Sequence, residues 1–194
     1  MGSPYEGLLP DKWLEVTKRL VSEHPLNVAD ITNVVLAAWE SIFESRLGTR
    51  GFRIGREIFP KPQIMGFLLI PLELAARYPQ NWCGERCASD KDVVYITDDR
   101  FSIEVKTSSN RSHIFGNRSY IQETTTSKKL KSGYYLAVNF QKFLPDQPRP
   151  NIVLIRFGWL DSTDWIGQIA ATGQQSRLPP EVEIYKLLAI YKHR

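Results

Sequence analysis

The 194-residue chain is predicted to form an α/β domain in which helices precede a mixed central β-sheet. Apolar residues at helical spacing are frequent in residues 1–80. Residues 92–107 contain two strand-like runs around a polar turn, and the apolar runs at 133–140 and 151–160 have the length of buried strands. We therefore expect a single domain over 1–194, with a mainly helical part at 1–80 and the sheet at 90–194.

Two helices and a broken third are expected in the helical part. The first is predicted over 8–21, and Asn27 is predicted to cap the second, because its short side chain accepts a hydrogen bond from a free backbone N–H. The mostly apolar segment 60–78 suits a third helix that begins near Pro62. Pro71 must kink or split this helix, since proline removes a backbone donor.

Later elements are predicted with less regular patterns. A helix near 119–130 is expected to connect the two-strand unit to the strand at 133–140, because parallel strands need a long crossover connection. A short helix is predicted at 165–171, after a capping segment at 161–164. Residues 184–191 suit either a terminal strand or a helix.

The segment 92–107 carries the most informative polar pattern of the chain. Apolar and polar side chains alternate, so Glu104 and Lys106 point to the same face of a strand. A two-residue turn would pair Asp92 with Val105 and direct Asp92 away from Glu104. An odd loop places Asp92 opposite Glu104 or Lys106. We expect such a loop, or a bulge near Asp92, which would gather Asp92, Glu104 and Lys106 at one point.

Two carboxylates and a lysine at one point indicate a metal site. Neighbouring carboxylates repel each other, and a divalent cation removes the conflict. Oxygen ligands without His or Cys suit Mg²⁺, for which Mn²⁺ can substitute. Lys106 would then orient water or stabilise charge on a phosphate. Asp90 competes with Asp92 as the first acid, and Glu-x-Lys also occurs as a solvated pair on exposed strands.

The Asp92…Glu104-x-Lys106 pattern resembles that of the PD-(D/E)XK nuclease superfamily, with Lys91 where the superfamily has proline. The following stretch, TSSNRSHIFGNRSYIQ at 107–122, resembles type II restriction endonucleases of the ScaI type. Similar stretches cover most of the chain: SPYEGLLPDKW, PKPQIMGFLL, SGYYLAVNF and IRFGWLDSTDWIGQ.

This resemblance implies a restriction-endonuclease-like core in which Asp92 and Glu104 bind metal and Lys106 is the catalytic lysine. It also makes Glu73 a further metal ligand, because several members of the superfamily add a helical glutamate. The implied activity is Mg²⁺-dependent cleavage of duplex DNA at a short palindrome, leaving 5′-phosphates, and a two-fold symmetric site is most simply read by a homodimer. Three alternatives remain open: a structure-specific repair or junction nuclease, a catalytically silent DNA-binding module, and an interaction protein.

The charge distribution also favours a DNA partner. Residues 100–131 carry seven basic against two acidic side chains, a surplus of +5 in a chain whose net charge is +4. The residues expected to contact DNA are Arg53, Arg56, Ser108, Asn110, Arg111, Asn117, Arg118, Lys128 and Lys129. Asn117 and Arg118 are expected nearest the base edges, and Lys128 and Lys129 at phosphates. A flexible basic loop around Arg53 and a turn role for Asn117 are the alternatives.

The remaining features limit the class of protein. Cys83 and Cys87 suit either the start of a zinc site or two free thiols, and the nearest histidine is His113. The chain contains no apolar run of about 18 residues and no basic segment followed by an apolar core at its start. We therefore expect a cytoplasmic protein without a membrane partner.

Overall fold

The computed structural model describes residues 2–117, 131–167 and 175–193. The helices of this part are α1 (Pro10–Ser22), α2 (Val28–Glu44), α3 (Met65–Leu68), α4 (Ile70–Arg77) and α5 (Pro180–Tyr185). The strands are β1 (Trp82–Gly84), β2 (Val93–Tyr95), β3 (Ile103–Ser108), β4 (Phe115–Asn117), β5 (Gly133–Phe140), β6 (Ile152–Leu160), β7 (Ile166–Gly167), β8 (Gln175–Arg177) and β9 (Leu187–Lys192). No helix of the described residues is long and apolar enough to cross a membrane.

A six-stranded mixed sheet forms the centre, with the strand order β1-β2-β3-β5-β6-β9. Strands β3 and β5 are parallel, and the other neighbours in this sheet are antiparallel. A second, three-stranded sheet has the order β4-β8-β7. The predicted α/β fold with a mixed sheet is therefore confirmed. The helix predicted at 119–130 lies outside the described residues.

The two faces of the central sheet differ in what covers them. On one face, Ile103 and Val105 of β3 pack in the main apolar core with Ile70 and Leu74 of α4 and with Ile31 and other residues of α2. Because successive side chains of a strand alternate between faces, Glu104 and Lys106 point to the other side. That second face combines a smaller apolar cluster with buried polar groups.

The helical part largely follows the prediction. Helices α1 and α2 are present, and the Asn27 side chain accepts a hydrogen bond of 2.7 Å from the backbone N–H of Ala29. Pro71 splits the third helix as expected, because α3 ends at Leu68 and α4 begins at Ile70, with Pro71 in its first turn. The start near Pro62 is wrong, since α3 begins only at Met65.

One later prediction needs correction, and the structure decides another. The segment predicted as a helix at 165–171 begins instead with β7, which pairs with β8, and residues 168–171 lie outside the described part. Pairing with β8, which also pairs with β4, overrides a weak local helical preference here. The segment 184–191 contains both alternatives, since α5 ends at Tyr185 and β9 begins at Leu187. Strand β1, which the sequence pattern does not predict, pairs with β2.

Candidate active site

The register of β2 and β3 brings the predicted acids together. Val93 is the partner of Ile103, so the same antiparallel register places Asp92 opposite Glu104. This is the odd register that the sequence predicts. A short 3-10 turn at Asp99–Phe101 lengthens the connection between the strands. The geometric expectation that Asp92 and Glu104 share one face is confirmed.

The two carboxylates and Lys106 form a compact, largely buried group. Asp92 and Glu104 are 2% and 4% exposed. The Lys106 ammonium donates to Glu104 Oε1 at 2.6 Å, and the backbone N–H of Val105 donates to Asp92 Oδ2 at 2.6 Å. The strand backbone therefore holds one acid in place, while the lysine side chain holds the other.

Electrostatics keep the lysine charged in this group. Burial lowers the pKa of Lys106, but the attraction of Glu104, Tyr135 and Asp92 outweighs it, so that the pKa is raised above its ordinary value. Tyr135 lies beside Glu104 on the parallel strand β5. Lys106 is thus an ammonium group over the whole physiological pH range.

The donor set fits a hard divalent cation. Asp92 and Glu104 offer carboxylate oxygens without sulfur or imidazole ligands, which is the chemistry that Mg²⁺ prefers. Within the described ranges, no group of three or more His, Cys, Asp and Glu side chains that could hold a metal is present. Two protein carboxylates are compatible with Mg²⁺, because this ion keeps several waters and binds substrate phosphates.

Glu73 is not brought to this group. It is exposed on α4, whose buried side chains Ile70 and Leu74 face the apolar side of the sheet. The expectation that Glu73 joins Asp92 and Glu104 therefore finds no support in the geometry, because a helix that packs through one face directs its polar residues away from the sheet.

Asp90 is engaged elsewhere. Its Oδ2 accepts hydrogen bonds of 3.1 Å from the Arg86 backbone N–H and 3.3 Å from Arg86 Nε. Partial burial raises the pKa of Asp90, but the hydrogen bonds from Arg86 and Cys87 lower it by more. The pKa of Asp90 is therefore below its ordinary value. Asp92, rather than Asp90, is the acid that lies beside Lys106.

Cys83 and Cys87 are free thiols.

The residues expected to contact DNA fall into four groups. Arg111 and Asn117 are exposed, and Arg56 is exposed but pairs with Glu57 at 3.1 Å. Ser108 and Asn110 shape a turn, since their side-chain oxygens accept hydrogen bonds from backbone N–H groups of residues 110, 112 and 113. Arg53 is half-buried. Three of the expected contacts lie outside the described residues: Arg118, Lys128 and Lys129.

The structure adds a contact that supports the catalytic strand. Thr107 Oγ1 donates to the Pro62 carbonyl at 2.5 Å and accepts from the Gly66 N–H at 3.0 Å. A Cβ at Gly66 would lie 3.1 Å from Thr107 Cγ2, so glycine allows α3 to approach the strand closely. The residue after Lys106 is thereby tied to a distant segment. No local pattern signals this contact, because its partners are remote in sequence.

A buried lysine precedes Asp92 in the chain. Lys91 Nζ donates to the Ser132 carbonyl at 3.0 Å and lies 5.8 Å from the centre of the Tyr135 ring. An ideal Cβ at Gly133 would overlap Lys91 Nζ, so this ammonium occupies the space that glycine leaves free. Lys91 therefore connects the start of β2 to the start of β5, where the superfamily resemblance implies proline at position 91.

Comparison with known proteins identifies the family. Residues 3–191 match the family model of the ScaI restriction endonuclease. The chain belongs to this family. It is also 53% identical to the type II restriction enzyme ScaI of Streptomyces caespitosus, over an alignment of 194 positions that covers 97% of this chain and 85% of the relative.

This ScaI-family protein is accordingly a type II restriction endonuclease, a deoxyribonuclease that cuts duplex DNA at specific sites. Enzymes of this type generally need a divalent metal ion, in agreement with the carboxylate donors of the site. The family assignment decides against the three alternatives that the sequence pattern leaves open: a repair nuclease, a silent DNA-binding module and an interaction protein.

Proposed function

We propose that this enzyme hydrolyses phosphodiester bonds at a short palindromic site with Mg²⁺, for which Mn²⁺ substitutes, and leaves 5′-phosphate ends. Asp92, Glu104 and Lys106 are assigned the chemistry. The observation that carries this proposal is their meeting on one face of the β2–β3 pair, with Lys106 2.6 Å from Glu104.

Asp92 and Glu104 would hold the cation. When bound, a divalent cation supplies Lewis acidity, since it lowers the pKa of a coordinated water and offsets the charge of the phosphate. The Val105 N–H fixes Asp92, so this carboxylate needs little rearrangement before binding. The near-complete burial of both acids strengthens their attraction for a cation, because few water molecules screen it.

Lys106 is assigned the stabilisation of charge that develops on the phosphate and the orientation of the attacking water. An ammonium group has three donors. Lys106 therefore retains its bond to Glu104 and still offers hydrogens to a phosphate oxygen. Its raised pKa supports this role, because the group remains charged at the pH at which the enzyme works.

We assign sequence recognition and DNA positioning to the surface around the β3 end, in a homodimer. A palindrome presents the same contacts twice, and a two-fold dimer reads both halves with one surface. Arg111 and Asn117 are exposed, so we assign them direct contacts, while Ser108 and Asn110 shape the turn that presents Arg111. We also propose DNA contacts for Arg53, Arg56, Arg118, Lys128 and Lys129. The cytoplasm, where foreign DNA is met, is the proposed place of action.

Digestion of plasmid and phage DNA tests the proposal. With Mg²⁺ or Mn²⁺ we expect discrete bands, and with EDTA uncut DNA. Sequencing of the fragment ends should reveal one short palindrome. The ends should accept radiolabel from a polynucleotide kinase only after phosphatase treatment, because they already carry 5′-phosphates. A smear, an asymmetric site or cleavage in EDTA would contradict the proposal. Sedimentation of the free enzyme and of its DNA complex tests the dimer.

A further inference from the structure

A buried polar anchor holds the loop that leaves the catalytic strand. Residues 109–114 connect β3 to β4, and three polar side chains from other elements hold this loop from below: Asn139 of β5, Arg156 of β6 and Glu183 of α5. We call these three residues the anchor. All three are buried, although each is of a type that usually lies at the surface.

Two members of the anchor bind the loop backbone. Asn139 Nδ2 donates to the carbonyls of Asn110 at 2.9 Å and His113 at 3.0 Å. Arg156 donates to the Ser112 carbonyl at 2.5 Å and to Asn139 Oδ1 at 3.2 Å. The anchor thus provides hydrogen-bond donors for three backbone carbonyls of the loop, those of Asn110, Ser112 and His113. A polar network of this kind makes the loop conformation specific, because any other conformation leaves buried groups unpaired.

The third member, Glu183, orients an exposed side chain. Its Oε1 accepts from the Ile114 N–H at 3.0 Å, and its Oε2 lies 2.6 Å from His113 Nδ1. Side-chain exposure differs sharply across this pair, at 5% for Glu183 and 52% for His113. A carboxylate only accepts, so Nδ1 carries the hydrogen of this bond. Nε2 is then the nitrogen that His113 offers to an external partner.

The loop lies beside the proposed active site. Lys106 is the strand partner of Ala137, and Ala137 is the partner of Arg156, so the three residues form a row across the sheet. Neighbouring strands are about 4.8 Å apart, which separates the Lys106 and Arg156 backbones by roughly 10 Å. Ala137, with its small side chain, lies between them. The loop held by Arg156 therefore borders the same face of the sheet.

A duplex whose scissile phosphate lies at Lys106 would extend over this loop. Duplex DNA carries one phosphate charge per about 1.7 Å of its axis, so several phosphates pass within the distance that separates Lys106 from the anchor. The exposed part of the loop presents Arg111 and His113. With a hydrogen on both ring nitrogens, a histidine held by Glu183 through Nδ1 donates from Nε2 to a second anion, which is the hydrogen-bonding pattern that a phosphate oxygen completes.

We propose that His113 contacts a DNA phosphate through Nε2, and that Asn139, Arg156 and Glu183 are positioning residues for this contact. The inference rests on the proposed placement of the scissile phosphate at Asp92, Glu104 and Lys106. It assigns His113 a role in substrate binding that no spacing pattern in the sequence indicates.

Equilibrium binding to a cognate duplex at several salt concentrations tests this contact, at about pH 5.5, where an ordinary imidazole carries both hydrogens. The log–log salt slope of affinity changes by about 0.9 for each phosphate contact. His113→Ala should therefore weaken binding and make the slope less steep by about 0.9. The affinity ratio of wild type to variant should shrink roughly 3-fold between 50 and 200 mM salt. His113→Gln, which keeps a polar side chain without the charge, should show the same change of slope.

Arg77→Ala is the matched control. Arg77 is an exposed cation on α4, on the opposite side of the sheet, where it pairs with Asp30 at 3.5 Å. Its loss should leave the salt slope unchanged. An unchanged slope in both His113 variants would overturn the inference. If instead the wild type itself shows no metal-dependent cleavage, the proposed function fails and not this contact alone.

Glu183→Gln tests the positioning role. The amide keeps the shape of Glu183 but lacks its charge, so His113 should lose its fixed orientation. We expect the KM for cognate DNA to rise and kcat to fall by a smaller factor. Thermal unfolding of this variant should remain cooperative. A fall in kcat with unchanged KM would contradict positioning for binding. His113 lies at the surface, so His113→Ala should not impair folding. The same rise in KM in His113→Ala would therefore not come from a folding defect.

Discussion

Two buried clusters of this enzyme have the same composition but different surroundings. Each contains two carboxylates and one lysine. In the first, Lys106 bonds to Glu104 beside Asp92. In the second, which we call the structural cluster, Lys186 binds Asp161 at 2.9 Å and Asp164 at 2.7 and 3.0 Å. Composition alone therefore does not distinguish a reactive group from a structural one.

Aromatic rings cover the lysine of the structural cluster. The Lys186 ammonium lies 4.3 Å from the centre of the Tyr5 ring and 4.6 Å from that of Trp13. The hydroxyl of Ser3 donates to Asp161 at 2.8 Å. Side-chain exposure is 4% for Lys186 but 14% for Lys106. The aromatic rings therefore shield Lys186, whereas Lys106 is the more exposed of the two lysines.

The difference shows that access decides function when charge is equal. In the structural cluster, the lysine bridges two acids and joins the N-terminal segment, the turn after β6 and the end of α5. Burial raises the pKa of Asp164 above its ordinary value, although the bonds from Lys186 lower it. In the active-site cluster, the acids are buried as well, and the more exposed Lys106 is the member that a substrate can reach.

Removal of the catalytic charges should have the largest effect. Lys106→Ala and Asp92→Asn should reduce the single-turnover cleavage rate by about 10²–10³-fold or more, since each removes preorganised charge from the transition state. Binding of cognate DNA in the absence of metal should remain within a few-fold of wild type. Lys186→Met is the control, and its folded fraction should cleave at nearly the normal rate. A normal rate in either active-site variant would disprove the assigned roles.

Loss of Lys186 should instead lower stability. Lys186→Met leaves Asp161 and Asp164 buried without their cation, which costs about 3–5 kcal/mol of unfolding free energy. Urea denaturation followed by circular dichroism measures this loss. Lys106→Met should cost less, because the lysine it replaces is more exposed. Equal losses in the two variants would show that aromatic closure does not separate the clusters.

The stability of the protein at acid pH should depend mainly on His24, a buried residue outside both clusters. Burial lowers the pKa of His24 from 6.5 to about 4, although its bonds to the Phe101 and Leu26 carbonyls oppose this. The unfolded chain takes up this proton first as the pH falls. About 3 kcal/mol of stability should therefore be present above pH 6.5 and be lost as the pH falls to about 4.

Urea midpoints measured between pH 7 and pH 4 test this dependence. His24→Gln should be less stable at neutral pH, but its stability should change less over the same interval. Asp164 acts in the opposite direction, because a raised carboxyl pKa favours the folded state at low pH and this contribution is lost as the pH rises. A variant that declines as steeply as wild type would exclude His24 as the source.

Metal binding should have the smallest effect. At a Mg²⁺ concentration ten times the dissociation constant, ligand linkage stabilises the folded protein by about 1.4 kcal/mol. Thermal unfolding of wild type should shift upward with Mg²⁺ and return after EDTA. Lys186→Met should retain the shift from its lower baseline, and Asp92→Asn should lose it. A shift that persists in Asp92→Asn would place the ion elsewhere.

Local pattern predicted the parts of the fold that depend on nearby residues. The cap at Asn27, the break at Pro71 and the strand at Gly133–Phe140 each follow from local chemistry or hydrophobic pattern. The odd register of β2 and β3 follows from the same reasoning, because the register of a hairpin is set within a short segment. The pattern leaves open whether Asp92 faces Glu104 or Lys106, and the pairing of Val93 with Ile103 decides for Glu104. Strand β7 is too short to show a pattern of its own, and it belongs to a sheet that β8 completes by pairing with the distant strand β4.

The sequence by itself determined the α/β class and the chemistry of the pair of acids with a lysine, because both depend on residue type and short-range periodicity. Only the tertiary structure decided that Asp90 binds Arg86, that Glu73 faces away from the site, and that Asn139, Arg156 and Glu183 support the loop at 109–114. These contacts join segments that are distant along the chain. Their partners are chosen by the packing of the whole sheet, which short-range periodicity does not encode.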